Sequence, residues 1–310
     1  MQQRFTNVEP KPRNWLGILD YIFYIVLVIA VLGVIYYLYS FRDMILLDSP
    51  FLLQGAVVTI VLAVISMILA MIFGLIGALG RLSRFAPIRW LATTYVEVIR
   101  GTPILVQLLI WYFGIGVVLS RAGFDPYSVA FQFMTMLQSN SLVPEGFTAL
   151  FYGVIGLSFN YGAYLTEVFR SGIESVNKGQ TEAALSLGLT SRQTMRHIVL
   201  PQAIRITIPP FTNYFITLVQ DTALLSTIAV IELQEQISTI ADPLVDANKK
   251  LFIYILGALF YLAICYPLSL LARYLEARMG VAYASHSTEE VMERGLFGRR
   301  KPGGVGGARV

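Results

Sequence analysis

Four ionisable residues interrupt the apolar runs of this sequence, and their placement is the first thing that needs a chemical reason. Glu97 and Arg100 lie in the stretch 90–120, Glu167 near the end of 149–170, and Asp221 in 206–231. A charge held in a bilayer costs about 3 kcal/mol or more unless it is paired or hydrated, so each marks a substrate route, a relay or a structural pair. Asp221 carries the functional reading furthest. It follows Arg205 by sixteen residues, roughly 24 Å of helix, too deep to reach the nearer interface. Glu97 and Arg100 stand three apart, where mutual neutralisation on one helical face is the competing explanation. Glu167 stands near the cytoplasmic end beside Arg170, where access to water favours the structural reading over a functional one.

The run Arg100-Gly101-Thr102-Pro103 adds backbone chemistry. A proline inside a span removes a hydrogen bond and breaks the helix before it. The spacing predicts that one helix ends at Arg100, Gly101 turns the chain, Thr102 caps a new half-helix and Pro103 takes its first position. The open N–H groups of that half-helix suit a carboxylate. On this reading Arg100 and Gln107 help to hold the carboxylate, Asp221 with Glu97 holds an ammonium group, and Asn160 and Tyr161 line the same cavity. The competing reading is an ordinary proline kink.

The elements that must position these groups are membrane helices. Hydrophobic residues make up 56% of the 310 positions and charged ones 14%, against about a quarter charged in soluble domains. A helix crosses the hydrocarbon with about 20 apolar residues. Six stretches qualify: 21–40, 54–80, 90–120, 149–170, 206–231 and 251–272. Their continuous apolar character excludes barrel strands, so the expected fold is all-α, a polytopic membrane protein of six transmembrane helices. Sorting the loops alternately places eighteen lysines and arginines on one side and four on the other, which puts both termini in the cytoplasm. The first span is too long, and too rich in tyrosine at its end, for a cleavable signal. Glycines and alanines at Ala70, Gly74, Gly77 and Ala78 read as helix packing in the second span.

Several chemistries are excluded. The single cysteine, Cys265, lies in an apolar run, so no disulfide framework or Cys/His metal cluster is expected. Basic residues are scattered between the spans, which argues against a nucleic-acid partner. No lysine precedes serine or threonine, so the phosphate-binding loop G-x-x-x-x-G-K-[ST] is missing. His197 and His286 both fall outside the spans, which argues against an intramembrane serine hydrolase.

Between the fourth and fifth spans, residues 178–201 read as a helix, a stop and a second helix. The first runs through Glu182-Ala183-Ala184 and ends at Gly188, suited to a left-handed closing residue. Thr190 and Gln193 stand at capping-box spacing, and Pro201 sets the end of the second helix. Helices of about ten residues are too short to be stable alone, so the hairpin needs a partner surface.

Glu182-Ala183-Ala184, Gly188 and Ile198-x-Leu200-Pro201 resemble the EAA loop of ATP-binding-cassette importer permeases. Arg100-Gly101-Thr102-Pro103 with Gln107, Asn160-Tyr-Gly-Ala163-Tyr with Glu167 and Arg170, Lys178-Gly179-Gln180 and Asp221-Thr222 resemble the polar amino-acid branch, the histidine/glutamine-type permeases. The resemblance covers about 53–277. It departs at the first span, at the outer loop 121–148 and at the tail. It implies a type I importer permease fold in the bacterial cytoplasmic (inner) membrane, amid lipid, with a translocation pathway for polar amino acids. It further implies a second permease subunit, identical or a sister chain, an external (periplasmic or extracellular) amino-acid-binding protein, and ATPase subunits that bind ATP and Mg, this chain holding no cofactor. Coupling to the ATPase would fall to Glu182, Ala183, Ala184, Gly188, Leu200 and Pro201. The expected organisation is an N-terminal segment with an extra helix over 1–52, a permease core over 53–277 with the coupling loop at 171–205, and a disordered cytoplasmic tail over 278–310. Two rivals remain: an ion-coupled transporter using Glu97, Glu167 and Asp221 as a relay, and a non-transporting membrane scaffold.

Overall fold

The computed structural model describes residues 15–136 and 146–297, with side chains over 20–135 and 146–279. All regular structure among the described residues is helical. Helix α1 spans Trp15–Ser40 and α2 Arg42–Arg81. After a short turn, α3 spans Ala86–Arg100. The chain breaks at Gly101-Thr102-Pro103 and resumes as α4, Ile104–Leu109, a π-helical stretch Ile110–Gly116 and α5, Val117–Arg121. A surface helix α6, Pro126–Met136, is started by the Asp125 carboxylate, which accepts hydrogen bonds from the Tyr127 and Ser128 N–H groups at 3.2 and 3.1 Å. It fills part of the loop expected at 121–148, whose residues 137–145 lie outside the described residues. Helix α7 spans Phe147–Glu174 and α8 Lys178–Ser186. Then α9, Ser191–Thr194, a π-helical turn Met195–Val199, α10, Leu200–Asp221, and a 3-10 stretch Thr222–Ile228 follow one another without a gap. Two further helices close the chain, α11 over Leu233–Ala241 and α12 over Ala247–Phe297.

The centre of the fold is the α2/α7 pair. With lipid as apolar as leucine, helices in a membrane associate through close packing, and small residues permit it. Gly74 of α2 lies against Leu165, Gly77 against Thr166, and Gly162 of α7 against Phe73 and the Tyr95 hydroxyl. A Cβ at Gly74 would stand 2.6 Å from Leu165 Cβ. Around this seam Leu62, Met67, Leu108, Leu157, Leu165, Leu218 and Leu225 form one core drawn from α2, α4, α7, α10 and the 3-10 stretch. A second cluster, with Leu52, Leu233, Phe252 and Ile253 at its centre, fastens the C-terminal end of α1 through Tyr37 and Phe41. Tyr37 Oη donates to the Asn248 carbonyl at 2.7 Å, and the Phe41 and Phe252 rings stand 5.0 Å apart. Over residues 21–36 α1 exposes its apolar side chains, as a helix facing lipid does.

Length and apolar character alone do not single out six spans among the described residues. Among the described residues, four helical segments are long and apolar enough to cross a membrane, Asp20–Ser40, Arg42–Arg81, Ile104–Arg121 and Ala247–Met279. A fifth results if Ser191–Ile228 and Leu233–Ala241, bent by 52°, form one broken span. The stretch 90–120 is split by its proline, and only the part from Ile104 qualifies. Helix α7 is long but carries Glu167, Arg170 and Glu174, together with buried polar residues such as Ser158, Asn160 and Thr166. A helix packed on most sides by other helices need not be apolar to lipid's standard.

Two other expectations differ from the structure. Pro201 does not end the second helix of the hairpin; it occupies the first turn of α10. The π-helical turn just before it shifts the hydrogen-bond register, and an N–H is not demanded at a first-turn position. The tail is also not wholly without structure, since α12 continues to Phe297. Residues 278–297 contain alanine, glutamate and methionine, good helix formers, and the glycine-rich run begins only beyond them. Residues 298–310 lie outside the described residues.

Candidate functional site: an intramembrane tyrosine cluster and a helical hairpin

The break after α3 closes on itself. The Thr102 hydroxyl donates to the Val98 carbonyl at 3.0 Å, so it finishes α3 and does not cap the next helix, whose N-cap residue is Pro103. Gln107 Nε2 donates to the Ile99 carbonyl, the Thr102 carbonyl and Thr102 Oγ1 at 2.8, 3.1 and 2.8 Å. Its Oε1 accepts from Asn160 Nδ2 at 3.1 Å. Gln107 and Asn160 are both buried. They brace the break against α7, because the last carbonyls of α3 need donors that a proline cannot give. The structure brings Thr102, Gln107 and Asn160 together. Their polar atoms are engaged with each other and with backbone, leaving α4 without a side-chain cap.

Asp221, at the end of α10, accepts a hydrogen bond from Tyr161 Oη of α7 at 2.7 Å. The Tyr161 ring lies beside Tyr164 and Tyr214, with centroids 6.3 and 6.5 Å away, and Tyr164 and Tyr214 stand 5.4 Å apart. The Arg100 guanidinium lies over the Tyr164 ring, 5.4 Å from its centroid. The Asp221 carboxylate of α10 and the Arg100 guanidinium of α3 are thus joined across three tyrosines, two of α7 and one of α10. Arg100 and Glu97 are exposed, and neither forms a salt bridge among the described residues. The mutual neutralisation considered for them is not what the structure contains. Tyr164 and Tyr214 were missed in the sequence. Tyr214 precedes Asp221 by seven residues, two helical turns, and Tyr164 follows Tyr161 by three, so both lie at same-face spacing that could have found them.

Glu167 belongs to a separate structural network. It pairs with Arg81 Nη1 at 2.6 Å and with Arg170, which also pairs with Glu174. This ties the end of α2 to α7 and occupies the carboxylate that a proton relay would need.

The hairpin is built by local chemistry. Asn177 Oδ1 accepts the Gly179 N–H at 2.8 Å and starts α8. At its end the Gly188 N–H reaches the Leu185 carbonyl at 3.0 Å and the Leu189 N–H the Ala184 carbonyl at 3.1 Å, the paired closure of a Schellman motif. Gly188 has φ +89°, where a Cβ is unfavourable. Thr190 and Gln193 then form a capping box in both directions. Glu182 lies in the second turn of α8, exposed with Ala183, while Ala184 is buried. Leu200 and Pro201 are exposed. Leu185, Leu187, Met195 and Leu200 present apolar side chains, Leu187 with 82% of its surface free.

Comparisons with known proteins identify the family and the fold. Residues 70–281 match the family described as binding-protein-dependent transport system inner membrane component. The chain is 39% identical over 230 residues to the L-cystine transport system permease protein TcyB of Bacillus subtilis (strain 168), covering 74% of this chain and 87% of that protein. It is 37% identical over 232 residues to the probable glutamine ABC transporter permease protein GlnM of the same organism, covering 74% and 94%. Among solved structures, a crystal structure of an amino acid ABC transporter with histidines superposes with a TM-score of 0.63 at 32% identity, covering 77% of this chain and 98% of that one. The all-helical arrangement is therefore the type I ABC importer permease fold, and the chain belongs to the binding-protein-dependent transport system inner membrane component family, as a transport subunit whose ATP hydrolysis is done by a partner chain.

Proposed function

We propose that this chain forms half of the pathway by which polar amino acids enter a bacterial cell across the cytoplasmic membrane, driven by a separate ATPase. One observation carries the proposal: the helical course from Ser191 to Ile228 is continuous, with the exposed hairpin at one end and Asp221 towards the other. A partner that grips α8 and α9 holds a lever on the carboxylate. The cluster fits an amino acid's two charges, with Asp221 facing the ammonium group and Arg100 the carboxylate. Glu97 adds an anionic group on the Arg100 side. Thr102, Gln107, Asn160 and Tyr161 hold the geometry around them. The relatives described as an L-cystine permease and a probable glutamine permease support the substrate class.

The polar face of α10, with Asn213, Thr217 and Gln220 exposed, is unsuited to lipid and fits a hydrated cavity shared with a second permease subunit, identical or a sister chain. Six passes follow if α7 crosses inside the bundle. Both termini and the hairpin then lie in the cytoplasm and Asp125 outside, beside an external binding protein. ATP and Mg would sit in the ATPase subunits docked on Glu182, Ala183, Ala184, Gly188, Leu200 and Pro201. The hairpin is the feature that an ion-coupled carrier leaves without a use, and Glu167 is already engaged by two arginines. The test is uptake of glutamine and cystine into proteoliposomes carrying the chain with and without its ATPase and binding protein. The expected result is uptake that requires ATP and both partners; uptake by the chain alone, driven by an ion gradient, would contradict the proposal.

A further inference from the structure

The 52° break beyond the 3-10 stretch contains a carboxylate that the pathway does not use. Glu232 is 0% exposed, and no lysine or arginine pairs with it among the described residues. Its Oε1 accepts the Glu235 N–H at 2.9 Å, capping α11. Its Oε2 accepts from Thr59 Oγ1 of α2 at 3.2 Å and from Tyr261 Oη of α12 at 3.0 Å. Thr59 Oγ1 in turn accepts the Leu233 N–H at 3.2 Å. The backbones approach closely here, since a Cβ on Gly55 would stand 2.8 Å from Leu233 Cα. One side chain thus ties α2, α11 and α12 together at the break.

The segment between Asp221 and Glu232 needs such an anchor. It is 3-10 helical over Thr222–Ile228 and then turns through Ala229 at φ +60°, the one non-glycine residue with positive φ among the described residues. Neither conformation is a resting state for these residue types. Its middle rests on α7, where Leu225 and Ile228 pack over Gly153, and α7 also presents Tyr161 to Asp221. A cap alone would not require a buried acid, because serine or asparagine caps a helix without burying a charge.

We propose that Glu232 is a positioning residue for transport: it fixes the break of the Asp221-bearing span to α2 and α12, and so sets where the Asp221 carboxylate stands against Tyr161. The inference rests on the reading of Asp221 as a pathway residue. It implies that the 3-10 stretch moves with α2 and α12 when the transporter changes state, while α10 moves with the hairpin.

The experiment uses the assembled transporter in nanodiscs, with two readouts: backbone hydrogen exchange and ATP hydrolysis stimulated by the binding protein. In Glu232→Ala, exchange over 222–236 should rise about tenfold while that over 147–174 stays as it was, and stimulated hydrolysis should fall about tenfold. Glu232→Gln keeps an acceptor for the Glu235 N–H and can still bond both hydroxyls, so it should restore both readouts to within about threefold. Tyr261→Phe, which keeps the ring, should give a milder form of the alanine result and serves if that variant does not assemble. Unchanged exchange, raised exchange with full stimulation, or a glutamine variant as defective as alanine would each overturn the proposal. Asp221→Asn, measured alongside, separates the two readings: full stimulation there removes the pathway assignment, whereas the exchange result judges the Glu232 anchor by itself.

Discussion

The hairpin and the tyrosine cluster share one helical course, yet they are built by opposite means. In the hairpin the features that start and close its helices are local: an asparagine cap, a glycine closure and a capping box, each within a few residues of its partner. In the cluster the contacts that join its charges to the tyrosines are distant in sequence, with Arg100 meeting Tyr164 and Tyr161 meeting Asp221. A locally built element can be shaped before its partner arrives and moved as a unit. A cluster assembled from three helices changes whenever those helices shift, as a site that must bind and release requires.

Substitutions can break or sharpen this contrast. The largest effect is expected at Asp221→Asn, which removes the charge in nearly constant volume. Loss of a charged hydrogen bond costs about 1.5–3 kcal/mol, so uptake should fall roughly 10- to 150-fold while the ATPase still co-purifies. Uptake at the wild-type rate would return Asp221 to a structural role. Next comes Gly188→Val, which places a branched side chain at φ +89° and costs about 1–3 kcal/mol. Co-purification of the ATPase should weaken about 5- to 150-fold, with the membrane-inserted amount unchanged; retained binding would mean that another surface docks the partner.

Arg81→Gln tests the third network. It removes one of two arginines from Glu167, and thermal stability should fall by about 1–2 kcal/mol, read as a lower unfolding midpoint in detergent. Glu182→Lys should be the smallest in the isolated chain, a few tenths of a kcal/mol (about 0.3) for an exposed helix position. A large loss of ATPase binding in that variant would therefore report a contact made by the partner, while an unchanged complex would remove Glu182 from the docking surface.

What could be read from the sequence follows the same division. Gly188, Thr190 and Gln193 announce themselves because their partners lie three to five positions away. The break at Pro103 is legible for the same reason, but its closure is not: that Thr102 turns back to α3, and that Gln107 meets Asn160, depends on how α7 packs. Asp221 stands out as a charge in an apolar run, while Tyr164 and Tyr214 are hidden among seventeen tyrosines. Glu232 sits one residue past the apolar stretch ending at Ile231 and passes for a loop acid, although only the fold brings Thr59 and Tyr261 to it. Pro201 misleads because a proline that ends one helix and a proline in the first turn of the next look alike in sequence; the π-helical turn before it decides which.

The most direct test of the account asks whether the hairpin moves the cluster. A cysteine at Thr217, exposed on α10 one turn before Asp221, can be labelled with an impermeant thiol reagent in a Cys265→Ala background, from either side of proteoliposomes containing the assembled transporter. The account predicts that the side from which Thr217→Cys is labelled changes when the ATPase is trapped with ATP, and that Gly188→Val abolishes the change. Labelling that stays on one side in every nucleotide state, with the ATPase bound, would contradict it.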